Sequence, residues 1–213
     1  ALDESRTVVR PQGLYRPNPF RDRKGEARSR LFRLLAQPGS PSIVVGAGPA
    51  DRRKGIDIFC QVASLVVQAK SDVEFVWLGD CDKELARDCK AWLDVLGLSR
   101  RVHFLGLVKE PEIYASHIAA ADIFLLTSRE DPFPSVVLDA MAAGTPVVGF
   151  VEAGGFVDLL SRGGGLLVPF EDRVAMAKAV SSLIDEPAHA AILGAVGRQL
   201  VDIRFQFHEY VND

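Results

Sequence analysis

The stretch "DIFLLTSREDPFPSVVLDAMAAGTPVVGF", residues 122–150, carries one complete strand–loop–helix–strand unit. Its first run, "DIFLLTS" (122–128), is apolar without alternation, the pattern of a strand covered on both faces. An acidic loop follows, holding Glu130 and Asp131. Pro134 suits a first helical turn and Gly144 a position just past a helix end, so a helix over about 134–143 is expected. "TPVVGF" (145–150) then reads as a second strand. Two such strands joined through a helix form a parallel pair.

The same unit recurs outward along the chain. "SIVVGAG" (42–48), "VEFVWLGD" (73–80), "RVHFLG" (101–106) and "GLLVP" (165–169) are further short apolar runs. Between them lie helical patterns at 55–69, 83–96, 111–120 and 172–184. In the first of these, Ile56, Ile58, Phe59, Val62, Leu65 and Val66 share one side. This alternation predicts an α/β fold, a doubly wound, Rossmann-like parallel sheet with right-handed crossovers. Residues 1–23 read as a lead-in strand and linker, and 24–186 as the domain. Residues 187–213 read as C-terminal helices ending in "FQFHEYVND" (205–213), which finds no further core to join.

Composition narrows the function. The chain has 213 residues, enough to bury roughly 70% of its unfolded surface without staples. Its net charge is −3, and no basic stripe with interleaved aromatics is visible, so nucleic acid is not an expected partner. Three cysteines, Cys60, Cys81 and Cys89, show no metal spacing and point to a reducing, cytoplasmic setting with no metal site. No apolar run is long enough to span a membrane, and no signal peptide is seen. The chain begins at Ala1, which reads as processing or excision from a longer protein.

Ligands of open α/β sheets sit at the carboxyl ends of the strands, and three loops there carry chemistry. In "GAGPADRRKG" (46–55), Gly46 and Gly48 allow close backbone approach, and Lys54 opens the next helix. Arg52, Arg53 and Lys54 oppose the dipole of that helix, which a bound phosphate would explain; a solvated basic turn is the alternative. The loop is not a Walker A motif, since no Ser or Thr follows Lys54. In "TSREDPFPSVVLD" (127–139), the first-turn amides of Ser135 and Val136 are free donors for an anion. Asp139 stands among apolar residues of this helix, either as half of a buried ion pair with Arg or Lys or as a ligand contact. "EAGGFVDLL" (152–160) reads as turn chemistry. His103 is expected packed in its strand, and His117, His189 and His208 have no visible triad partners.

Taken together, "GPADRRKGID", "VWLGD", "VHFLGLV", "DPFPSVVLDAMAAGTPVVGF", Gly154-Gly155 and "GLLVP" resemble the C-terminal half of a family 4 glycosyltransferase, over roughly residues 7–211. That family has the GT-B architecture of two facing Rossmann-like domains. The acidic–x7–acidic signal from Asp131 to Asp139, followed by "AMAAGTPVV", carries most of the likeness.

The resemblance implies roles residue by residue. Lys54 would neutralise the donor diphosphate, with Gly48 beside it. Asp131 would meet hydroxyls of the donor sugar, and Phe133, Ser135 and Val136 would offer backbone amides to sugar and phosphates. Asp139 would hold the ribose hydroxyls, and the main chain around Leu107 would meet the base. Three positions depart from the family. Pro49 stands where an arginine is common, so Arg52 or Arg53 is expected to supply that phosphate contact. Both acidic positions are Asp where Glu is usual, which leaves Glu130 as an alternative to Asp131 on the sugar. Pro134 replaces a common glycine and removes one backbone donor.

The implied function is the donor-binding half of a retaining glycosyltransferase that uses a nucleotide diphosphate sugar without metal or other cofactor. The acceptor, a glycan or lipid-linked glycan of an envelope or surface polysaccharide, would come through an N-terminal domain absent from this chain. Alone, this half is expected to bind donor without efficient transfer, and any membrane association of the whole protein would be peripheral. A nucleotide-sugar 2-epimerase and a non-catalytic nucleotide-binding module are the alternatives.

Overall fold

The apolar runs at 43–47, 73–78, 123–126 and 147–150 become strands buried on both faces, while those at 102–104 and 165–168 are partly exposed. The computed structural model describes residue 14 and residues 17–36 and 39–205. The chain runs α1 (Lys24–Leu35), β1 (Ser42–Ala47), α2 (Ile56–Ala69), β2 (Val73–Leu78), α3 (Lys83–Val95), β3 (Val102–Phe104) and α4 (Pro111–Ala120). It continues β4 (Ile123–Leu126), α5 (Ser135–Ala142), β5 (Val147–Phe150), α6 (Val157–Leu159), a π turn (Leu160–Gly164), β6 (Gly165–Val168), α7 (Arg173–Asp185) and α8 (Pro187–Arg204). The six expected strands are all present, trimmed by a residue or more.

The strands pair in the order β3-β2-β1-β4-β5-β6, all parallel. This is the doubly wound Rossmann order, and the chain reverses direction across the sheet between β1 and β4. The loops after these two strands, 48–55 and 127–134, therefore open side by side. They are the two loops that the sequence singled out.

Packing fixes that arrangement. Of the six apolar residues expected on the inner side of α2, five are fully buried and Leu65 turns outward. Phe59 of α2 packs edge-on against Phe75 and Trp77 of β2, with ring centroids 5.6 and 5.1 Å away. A Cβ on Gly46 would come within 2.9 Å of Trp77 and 2.8 Å of Phe59. The smallness of Gly46 therefore serves this core, not a ligand. Glu74, fully buried on β2, is bonded by Arg101 at 2.7 Å and lies 2.8 Å from His103 Nε2, so His103 is a packed residue.

Helix α1 is not among the expected helices: only Ala27 and Leu31 of it are fully buried, with Phe32 and Leu35 partly buried against the core. Its arginines bind outward partners: Arg28 reaches Asp122 at 2.6 Å and Arg30 reaches Glu112 at 3.0 Å. Helix α8 lies on α5 and on the π turn, where Gly197 faces Met141 and Gly164. The lead-in strand, His208 and the last eight residues of "FQFHEYVND" lie outside the described residues. Among the described residues, no helix is long and apolar enough to cross a membrane.

Candidate functional site

The lysine loop is a folded turn rather than a helix start. Asp51 organises it: its Oδ1 accepts the Lys54 N–H at 2.6 Å, and its carbonyl accepts the Gly55 N–H at 3.0 Å. Helix α2 begins only at Ile56, with Gly55 as N-cap in the left-handed region (φ 72°). A Cβ on Gly55 would fall 2.0 Å from the Thr127 carbonyl, so this glycine lets the two loops touch. Thr127 Oγ1 completes the contact by donating to the Lys54 carbonyl at 3.0 Å.

Arg129 locks the loops together, and nothing in the sequence pattern marked it. Its guanidinium binds Asp57 of α2 through two nitrogens at 2.9 Å each, donates to the Arg52 carbonyl at 2.5 Å and pairs with Glu171. Its N–H donates to the Arg53 carbonyl at 2.8 Å. Burial alone would raise the Asp57 carboxyl, but the Arg129 hydrogen bond and charge outweigh it and hold it below its ordinary value. The Asp57 hydrogen bond in turn strengthens the Arg129 charge.

Across this junction Lys54 Nζ pairs with Asp131 Oδ2, and Ser128 Oγ donates to the same oxygen at 3.3 Å. The Asp131 backbone is pinned too: its N–H donates to the Ala153 carbonyl at 2.8 Å, and it bridges to Gly154. A Cβ on Gly154 (φ 154°) would sit 1.6 Å from the Asp131 carbonyl oxygen, so the loop at 152–155 acts as a close backbone support. Glu130 is exposed, and its carbonyl accepts Arg53 Nη1 at 3.1 Å. Phe133 stacks on Phe205 with centroids 6.0 Å apart.

A cavity of 340 Å³ opens beside the pair. Gly48, Pro49, Lys54, Leu107, Ser135 and Val136 line it, with Tyr114. The expected lysine, base-side and amide positions thus converge on one space, while Arg53, Glu130, Asp131 and Phe133 stand outside its walls. Ser135 and Val136 open α5, which has Pro134 as N-cap and no charged residue in its first turn. Val137 N–H donates to the Pro134 carbonyl at 3.0 Å, leaving the two residues before it at the positive end of the helix. The other end closes as the sequence implied. Gly144 N–H donates to Met141 O and Thr145 N–H to Ala140 O, both at 2.9 Å, with Gly144 at φ 76°.

Asp139 has no ion pair among the described residues; Tyr114 Oη donates to its Oδ2 at 3.2 Å. Burial pushes the Asp139 carboxyl up to about 6, against the lowering effect of the Tyr114 hydroxyl. It lines a second, 860 Å³ cavity with Tyr114, Pro17, Asn18 and Pro19. The buried ion pair imagined for Asp139 exists in the site, but on Asp131. Among the described residues no cluster of three or more His, Cys, Asp or Glu could hold a metal.

Comparison with known proteins places this geometry. Residues 41–186 match the family described as "Glycosyl transferases group 1". The chain is 30% identical over 191 residues to D-inositol 3-phosphate glycosyltransferase 1 of Catenulispora acidiphila, covering 85% of the chain and 43% of that protein. It is 29% identical over 174 residues to the lipopolysaccharide core biosynthesis glycosyltransferase LpsD of Rhizobium meliloti, covering 80% and 47%. The chain thus spans under half the length of these relatives. Among solved structures, Anabaena HepE in complex with UDP and glucose superposes with a TM-score of 0.77 at 24% identity, over 86% of this chain and 49% of that one. The C-terminal domain of a Francisella tularensis group 1 glycosyl transferase, LpcC, does so at 0.75 and 20% identity, over 84% of this chain and 93% of that domain. With two thirds of its length inside the family match and a curated relative at 30% identity, the chain belongs to the group 1 glycosyl transferases.

Proposed function

We propose that this chain is the donor-binding half of a retaining glycosyltransferase that takes a nucleotide diphosphate sugar. The observation that carries the reading is the convergence of Lys54 and the N-terminus of α5 on one cavity at the β1–β4 switch point. A lysine and a helix N-terminus are two independent positive features, and a diphosphate is the ligand that needs both. In the transfer, the bond between the sugar C1 and the diphosphate oxygen breaks. The acceptor hydroxyl bonds C1 from the same face, and its proton leaves with the diphosphate. Stabilising the developing charge on that diphosphate is the task for Lys54 and the amides of Ser135 and Val136. No metal or other cofactor enters the step.

In this reading Asp131 holds Lys54 until donor arrives. Diphosphate then competes for the ammonium, and the released carboxylate is free to accept a sugar hydroxyl. The acceptor, a glycan or lipid-linked glycan of an envelope polysaccharide, meets the donor through a partner domain outside this chain. The enzyme names of its curated relatives support the reaction class.

Calorimetry of this chain against UDP-, GDP-, ADP- and dTDP-sugars tests the reading. One nucleotide should bind in the micromolar range, and inorganic pyrophosphate should compete with it. Absence of binding across the panel would overturn the assignment.

A further inference from the structure

Two adjacent hydroxyl residues just past β4 hold the two halves of one ion pair. Thr127 Oγ1 donates to the Lys54 carbonyl at 3.0 Å. Ser128 Oγ donates at 3.3 Å to Asp131 Oδ2, the oxygen that also takes Lys54 Nζ. Thr127 and Ser128 are both fully buried. Lys54 lines the 340 Å³ cavity and Asp131 does not, so the ammonium stands between that cavity and a carboxylate behind its wall.

An anion that draws Lys54 into the cavity therefore leaves Asp131 behind. Asp131 is itself buried, and a buried carboxylate stripped of its donors is costly. The other cations of the two loops do not relieve it. Arg53 Nη1 donates to the Glu130 carbonyl at 3.1 Å, and Arg129 is committed to Asp57 and Glu171. Among the described residues, Lys54 and Ser128 are the side-chain donors to Asp131, so Ser128 is the donor that stays. The carboxylate cannot simply swing away to water with its loop, because the Asp131 N–H is tied to the Ala153 carbonyl at 2.8 Å.

Resting on the donor assignment above, we infer that Ser128 is a positioning residue for the exchange of Lys54 from Asp131 to the diphosphate. Its hydroxyl holds the Asp131 carboxylate while the ammonium is on the ligand. A neutral donor suits this task, since it serves the carboxylate whichever anion Lys54 is paired with.

The experiment measures inorganic pyrophosphate binding by calorimetry on wild type, Ser128→Ala, Asp131→Asn and the double variant. Ser128→Ala should weaken pyrophosphate about tenfold, the scale of one hydrogen bond to a charged group. In the Asp131→Asn background the same change should alter affinity by less than about twofold, because no carboxylate is left to serve. An equal loss in both backgrounds is what a merely structural role would give, and it would overturn the proposal. Thermal unfolding of the ligand-free chain supplies a second reading that does not need Asp131→Asn to fold. Ser128→Ala should keep its midpoint within about 2 °C of wild type, since Lys54 still serves Asp131 there. A large fall in midpoint accompanying the loss of affinity would overturn the proposal as well. If wild type binds no pyrophosphate, the donor assignment itself fails and this inference falls with it, whereas wild-type binding that Ser128→Ala leaves intact overturns this inference alone.

Discussion

Lys54 and Asp131 form an ion pair across the β1–β4 switch point, with side chains only 12% and 7% exposed. Breaking a buried pair from one side leaves an uncompensated charge, which costs about 3–5 kcal/mol. Lys54→Met should therefore lower stability on that scale in urea unfolding. Adding Asp131→Asn should restore part of the loss while pyrophosphate binding stays lost. Recovery of pyrophosphate binding in the double variant would remove Lys54 from the anion site.

Arg129 joins the loops at 48–55 and 127–134 to α2 and the Glu171 turn, so its loss should act on both loops at once. Arg129→Met leaves Asp57 without its bidentate partner, and a cost of about 1–3 kcal/mol is expected. Hydrogen exchange should quicken at residues 51–55 and 127–131 together. Exchange that changes in one loop alone would show that Arg129 does not couple them.

Asp139 gives a pH signature of its own. Its carboxyl titrates at about 6 in the folded chain, above its ordinary value, so the folded state holds the proton more tightly than the unfolded state. Ionised Asp139 thus destabilises the ligand-free protein above pH 6, and that penalty fades as pH falls towards 4. Asp139→Asn should raise stability at pH 7.5 by on the order of 2–3 kcal/mol and by little near pH 4. Thermal unfolding at the two pH values checks this; an equal gain at both would remove titration as the cause.

Gly55 and Gly154 are predicted to resist substitution for reasons of space. A Cβ would meet a backbone carbonyl oxygen at 2.0 Å from Gly55 and 1.6 Å from Gly154, at positive φ in both places. Gly55→Ala and Gly154→Ala should each cost more than about 2 kcal/mol, whereas Gly97→Ala, with open space around it, should cost about 1 kcal/mol from its left-handed φ alone. Equal losses at all three positions in denaturant unfolding would contradict the packing argument.

The residues by themselves determined the strand–helix alternation, the parallel sheet, a helix over about 134–143 with its glycine stop, which the structure bounds at 135–142, and the two loops that meet at the switch point. These are legible because they depend on local period and chain order. The apolar run of β4 needs no knowledge of its neighbours to read as a strand. Helix α1 is not legible for the converse reason, since it has no continuous apolar run and partners such as Arg28 and Asp122 meet only in the fold. Which charge is paired with which was decided only in three dimensions. Asp139 stands near Lys54 in no pattern of spacing, and its side-chain partner among the described residues, Tyr114, is 25 residues away. Asp131 takes Lys54 from 77 residues away, because parallel strands β1 and β4 deliver their loops to the same edge. Arg129, an ordinary loop residue in the sequence, becomes a junction only when α2 and the Glu171 turn close around it.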